Sequence, residues 1–137
     1  MSFDPYIHFQ GNCRAAMEAY RQVLGGTLSI TGYDQMPDAP PELKASPLVM
    51  HSTLHVGGRS LMASDFPPGH TGEPQASVTI SHEAPSDAEA RRIFAALAEG
   101  GSVMMEYQPT FWSDGFGMLK DRFGTHWMIS APWRQPG

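Results

Sequence analysis

Histidine, carboxylate and a single thiol are the groups in this chain that could carry chemistry, and their spacing decides which kind. His51 and His55 stand four apart in a run whose alternation puts Ser52, Leu54 and Val56 on one face and His51, Thr53 and His55 on the other. On a helix that spacing would offer two ligands to one metal ion. On a strand, four residues at about 3.3 Å each separate the rings by about 13 Å, too far for one ion with bonds of about 2 Å. His8 lies in a short β-prone run and His126 in the last one, while Ser64 and Asp65 end a strand between them. Two readings stand. His8, His126 and Asp65 converge on a site of unusual make-up, or the histidines are partly exposed strand residues bonded to backbone or water, and Asp65 caps the following turn.

Cys13 falls at the expected start of a helix, where the dipole could lower a thiol pKa, or it is a small packing residue with no base assigned to it. As the only cysteine it permits no internal disulfide, which points to a cytoplasmic protein. Phe111 and Trp112 sit in a loop, where large aromatics close a pocket or pack outside a sheet or at a dimer interface. Met62, Met104, Met105, Met118 and Met128 fall on strands and read first as core, although methionine also suits adaptable cavities. No Ser-His-Asp order, phosphate-binding loop or paired-carboxylate motif is present.

The elements that must position these groups come in two similar sets. A short amphipathic helix ending in Gly25-Gly26 is repeated by one ending in Gly100-Gly101, and the turn and strand at 57–62 is answered at 123–128. In the first set a strand at 6–9 leads to Asn12, a good N-cap, and a helix over 13–24 with Met17, Tyr20, Val23 and Leu24 as its apolar stripe. Strands follow at 27–33, 48–56 and 59–65, the last two joined by the hairpin signal Gly57-Gly58. Residues 35–47 read as irregular because of Pro37, Pro40 and Pro41. In the second set strands are expected at 75–81, 102–108, 116–120 and 125–131. Ser86 or Asp87 caps a helix to about Ala98, and the tail from 132 frays. Each half is β-α-β-β-β, so the chain is α+β with eight strands and two helices, one domain of two repeats at about 4–66 and 74–131.

Charge and length exclude several classes. The net charge of −5 and the lack of a basic cluster argue against nucleic-acid binding, with Arg91-Arg92 a solvated helix face. No apolar run is long enough for a bilayer, and no leader pattern opens the chain.

The βαβββ duplication resembles the vicinal oxygen chelate superfamily of glyoxalase I, extradiol dioxygenases and bleomycin- and fosfomycin-resistance proteins. Five strings are similar to its PhnB-like branch: Pro5-Tyr6-Ile7 with 11–16, residues 20–26, Leu61 to Asp65, Thr110-Phe111-Trp112 with Phe116-Gly117-Met118, and Asp121 to Gly124 with Trp127-Met128-Ile129. The likeness covers about residues 4–131 in order. It implies two halves forming a curved mixed sheet, a cup with the helices outside, and a homodimer. The methyltransferase label attached to that branch finds no support, because no glycine-rich cofactor loop follows a strand.

The resemblance also implies where a divalent metal would be held in metal-dependent members: near Pro5, Met62 or Ser64, Gln75 and Met128. Proline offers no ligand, methionine only a thioether poorly suited to this chemistry, and glutamine a neutral oxygen. The expectation is therefore a small-molecule binder with no cofactor. Its ligand-binding candidates are His8, Ser64, Asp65, Gln75, Phe111, Trp112 and Met128. The alternatives are an enzyme, either a lyase or dioxygenase with a rearranged metal site near His8, Asp65 and His126 or a metal-free isomerase, and an interaction module with no ligand.

Overall fold

The computed structural model describes residues 2–134, and the chain divides into two compact units, Met1–Pro74 and Gln75–Gly137. In the first, β1 (Tyr6–Phe9) leads into α1 (Cys13–Leu24), then β2 (Thr27–Gly32), a 3-10 turn (Tyr33–Gln35), α2 (Pro41–Lys44), β3 (Val49–Val56) and β4 (Arg59–Asp65). These strands pair in the order β1-β4-β3-β2, with β1 parallel to β4 and the other pairs antiparallel. The β3–β4 hairpin turns on Gly57 and Gly58, whose φ values of 54° and 79° suit a two-residue hairpin.

Strand alternation gives the sheet two unlike faces. Ile7, Phe9, Leu54, Leu61 and Ala63 are buried, as are Ala16, Met17 and Tyr20 of α1. Burying each large apolar side chain contributes about 1.5–3 kcal/mol, which is what holds a twelve-residue helix that would be marginal alone. The opposite, helix-free face carries polar residues.

The second unit repeats the plan with β5 (Thr79–Glu83), α3 (Asp87–Ala98), β6 (Ser102–Gln108), β7 (Phe116–Lys120) and β8 (His126–Ser130). Its order is β5-β8-β7-β6, with β5 parallel to β8 and the remaining pairs antiparallel. The fold is α+β: two four-stranded mixed sheets, each built by one βαβββ set. The repeated Gly-Gly has a steric reason beyond ending a helix. A Cβ on Gly26 would strike the carbonyl of His55, and one on Gly101 that of Lys120, so the second glycine lets the next strand lie close against its neighbour.

Several expected elements differ. Asn12 makes no side-chain cap; its φ of −108° and ψ of 17° are not the extended geometry an N-cap needs. Residues 35–47 are not wholly irregular, since Pro41 starts α2 at the helix position where its missing N–H is harmless. The described helices therefore number three rather than two. The strand expected at 75–81 lies at Thr79–Glu83, because Ser77 has φ 59° and interrupts extended backbone; Val78 is left 73% exposed. In the tail, Ser113 bridges Trp133 and the Arg134 N–H donates to the Trp112 carbonyl at 2.7 Å, so 132–134 is held rather than frayed. Residues 135–137 lie outside the described residues.

Candidate functional site

The first unit concentrates its hydrogen-bonding side chains on the helix-free face. Tyr6 and His8 of β1 pair with Met62 and Ser64 of β4, and Met62 pairs with Thr53 of β3, so all five point to the same side. His51 and His55 share that side by alternation, and β2 adds Ser29 and Thr31. Within this group Tyr6 Oη lies 3.1 Å from His51 Nδ1, and Thr53 Oγ1 lies 3.1 Å from His51 Nε2. Ser64 Oγ stands 3.5 Å from His8 Nδ1, and Ser60 Oγ stands 2.9 Å from His55 Nδ1. The rings form a row: His51 to Tyr6 at 5.7 Å, Tyr6 to His8 at 5.0 Å, and His8 stacked on Phe66 at 5.3 Å. His55 stands apart from this row with Ser60, as its four-residue separation from His51 requires.

Asp65 does not join them. It pairs with Phe9, while His8 pairs with Ser64, so Asp65 and His8 project from opposite faces. Its side chain is buried and accepts from the Gly11 and Cys13 N–H groups at 2.8 and 3.0 Å and from the Val49 N–H at 2.9 Å. This carboxylate, from the far end of the unit's sequence, is the cap that Asn12 does not supply. The convergence of His8, His126 and Asp65 is corrected on that ground: both Asp65 oxygens are committed to backbone on the helix side.

Cys13 belongs to the same buried corner. Its thiol lies 3.6 Å from Ser52 Oγ with no exposed surface, and burial, reinforced by the Asp65 charge, pushes its pKa from 9.0 up to about 11. The helix start therefore does not activate it. The native thiol is expected to carry roughly a hundredfold less thiolate than an ordinary cysteine below pH 9. A disulfide reagent at pH 8 should label it only as fast as the protein opens, with full reactivity in denaturant. Labelling at the rate of a free thiol would refute this. Because the folded-state pKa is the higher one, the associated stability is present below about pH 9 and is lost as pH rises through about 11.

In the second unit the helix-free face carries an apolar patch among polar residues, with Thr79, His126 and Lys120 on one row and Glu83 and Ser130 on another. Phe116 and Met118 of β7 pair with Ser130 and Met128 of β8 and share their side, whereas Gly117 faces Phe94 of α3. Trp112 packs edge-on against Phe116 at 5.4 Å, and Phe111 against Trp112 at 4.8 Å. Phe111 is 88% exposed, so of the two loop aromatics Trp112 is the one seated on the sheet. The Nδ1 of His126 is buried with no hydrogen-bond partner among the described residues, which favours the tautomer with its proton on Nε2. His82, on the helix side of β5, has its pKa lowered by burial.

The positions matched to metal ligands do not form a donor set. Pro5 precedes β1 and contributes only a carbonyl, which accepts from the Met62 N–H at 3.0 Å. Gln75 precedes β5 rather than lying on it. Met62, Ser64 and Met128 do lie on helix-free faces, with one thioether or hydroxyl each. Among the described residues no three His, Cys, Asp or Glu side chains gather as a metal ion would require. These residues do not fit a four-ligand divalent centre.

Reasoning from the sequence placed His8, Ser64, Trp112 and Met128 on strand or loop positions that the structure assigns to these faces, and left Tyr6, His51 and Thr53 out. The parity of His51 and Thr53 was readable. Their meeting with Tyr6 was not, since it depends on β4 lying between β1 and β3.

Comparison with known proteins agrees with the architecture. The model of the Glyoxalase/Bleomycin resistance protein/Dioxygenase superfamily matches residues 2–129. YjdN of Escherichia coli strain K12 is 30% identical, the match covering 99% of this chain and 99% of that protein. The crystal structure of PA1353 from Pseudomonas aeruginosa superposes with a TM-score of 0.87 at 44% identity, covering 96% of this chain and 97% of that one. A PhnB protein from Bacillus cereus shares the fold, with a TM-score of 0.76 at 21% identity over 96% of this chain and all of the other (100%). No helix among the described residues is long and apolar enough to cross a membrane. A duplicated βαβββ chain, matched from residue 2 to residue 129, belongs to the Glyoxalase/Bleomycin resistance protein/Dioxygenase superfamily.

Proposed function

We propose that this chain binds a small organic molecule on its helix-free sheet faces without the four-residue metal site of its metal-dependent relatives. The observation that carries this reading is the set Pro5, Met62 or Ser64, Gln75 and Met128 at the matched places, none of them a strong ligand for a divalent ion. Two further features support it. The first sheet offers imidazoles and hydroxyls, and the second offers Trp112, Phe116, Met118 and Met128. Small-molecule sites use groups of both kinds, a few polar atoms and apolar area. A homodimer and a cytoplasmic setting belong to the same reading.

The test has two arms. Trp112 is expected to report a ligand as saturable fluorescence quenching across a panel of aromatic, thiol-conjugate and glycopeptide compounds. The signal should be unchanged by chelator and lost in Trp112→Phe. Elemental analysis of protein purified without chelator should find metal well below one equivalent. Stoichiometric Zn, Ni, Mn or Fe that disappears in His8→Ala would overturn the reading in favour of a rearranged metal enzyme. Silence across the whole panel would remove its support.

A further inference from the structure

We propose that Arg134 is a positioning residue: it clips the loop between β6 and β7 so that Trp112 stays closed on Phe116 for the apolar part of a ligand. This rests on the reading of Trp112 as a ligand-contacting side chain and adds what fixes its place.

Arg134 touches that loop at three alternate residues. Its backbone N–H donates to the Trp112 carbonyl at 2.7 Å. Its Nη2 donates to the Thr110 carbonyl at 3.0 Å and lies 3.2 Å from Asp114 Oδ1. Thr110 and Asp114 flank the pair Phe111 and Trp112, so one guanidinium closes the loop across its two aromatics. The fixed fork of donors on an arginine suits a carbonyl and a carboxylate at once. Arg134 is itself carried by an anchored segment. The neighbouring Trp133 donates its backbone N–H to Glu83 Oε1 at 2.7 Å and its indole N–H to Ser130 Oγ at 3.0 Å, which ties it to β5 and β8.

The loop is held at two levels of unlike strength. At its base Ser113 is fully buried, with Oγ 2.8 Å from the Gly115 carbonyl and 3.0 Å from the Ala131 carbonyl, while the Ala131 N–H donates to Gly115 at 2.9 Å. At its tip the Arg134 and Asp114 side chains are 48% and 76% exposed, and exposed pairs contribute little to global stability. Removing the clip therefore loosens the tip and leaves the base folded. The tip carries the aromatics, Phe111 edge-on to Trp112 and Trp112 edge-on to Phe116. A tryptophan already seated on the sheet meets a ligand with its rotamer fixed. A loose one must be ordered by the ligand, which weakens binding.

The test is fluorine NMR of the full chain labelled with fluorotryptophan, beside titration with anilinonaphthalene sulfonate as an aromatic probe. Trp112 is assigned by the resonance lost in Trp112→Phe. In Arg134→Ala that resonance should move towards its position in denaturant, and the probe should bind about fivefold more weakly, the effect of ordering one large side chain. The resonance of Trp127, a core residue of the same unit, should stay in place and show the variant folded. Arg134→Lys keeps the charge without the fork and should restore the Trp112 position in part. A Trp112 resonance unmoved in Arg134→Ala would overturn the inference, as would a displaced resonance with unchanged probe affinity. Failure of the binding reading would look different. Wild-type protein would then bind neither this probe nor the compound panel, while a Trp112 resonance displaced in Arg134→Ala would still support the clip.

Discussion

Asp65→Ala is expected to destabilise the first unit by about 3–5 kcal/mol, the largest effect of any single polar substitution in it. The carboxylate accepts three backbone N–H groups, from Gly11, Cys13 and Val49, and is 2% exposed. Alanine leaves those donors facing a small apolar cavity, and each unsatisfied buried group costs about 1–3 kcal/mol. The discount from the simple sum allows for water entering the gap. The charge itself is tolerated because it sits at the N-terminus of α1, where the free N–H groups and the helix dipole favour an anion. Asp65→Asn should recover part of the loss, since one oxygen still accepts, but its amide hydrogens then face an N–H donor. Thermal and urea melts by circular dichroism would measure this, with a fall in Tm on the order of 10 °C for the alanine variant. An exposed control, Asp4→Ala, should stay within about 0.5 kcal/mol. An Asp65→Ala protein as stable as that control would show that the three contacts carry no net stability.

The first unit is held together by both local and long-range signals, and only the local ones can be read along the chain. The helix at Cys13–Leu24 was readable to the residue from its apolar spacing and its Gly-Gly stop, because both are local signals. Its cap was misread for the complementary reason. Asn12 is local and has the right chemistry, but Asp65 lies 52 residues from Cys13, and only the parallel pairing of β1 with β4 brings it there. In the second unit the local rule held: Ser86 is extended and accepts from the Glu89 N–H at 3.1 Å, and Ser130, a shorter residue, ends β8 where Asp65 ends β4. The displaced β5 is another local failure. Alternation in 75–81 looked like a strand, and nothing in the residue types announces the positive φ of Ser77. The candidate site divides the same way. Face assignments came from parity, whereas the Tyr6–His51–Thr53 chain required knowing the strand order.

In the second unit the corresponding anchor is Asp121, and Asp121→Ala is expected to cost about 3–5 kcal/mol there. Its Oδ1 accepts from the N–H groups of Phe123 and Thr125 at 2.8 and 3.0 Å, closing the β7–β8 turn. Its Oδ2 accepts from Trp127 Nε1 at 2.9 Å, tying that turn to the side chain that fills the core beneath. Trp127 is 1% exposed, so its indole N–H has no recourse to water once the carboxylate is removed. The tie can be isolated by a double-mutant cycle with Trp127→Phe, which removes the donor while keeping most of the buried ring. The single Trp127→Phe change leaves Oδ2 without this donor and should cost about 1–3 kcal/mol. In the Asp121→Ala background the same change should cost less by about 1–2 kcal/mol, because the contact is already gone. Strict additivity of the two in urea melts would mean that the 2.9 Å contact contributes nothing, and that Asp121 acts on the turn alone. The two anchors also differ in reach. Asp65 joins a strand end to a helix start across most of its unit, whereas Asp121 acts within six residues of itself, so loss of Asp121 should first disorder the β7–β8 turn. Native-state hydrogen exchange would separate them: protection at Phe123 and Thr125 should fall in Asp121→Ala while α3 stays protected, whereas Asp65→Ala should expose the first turn of α1 together with β3.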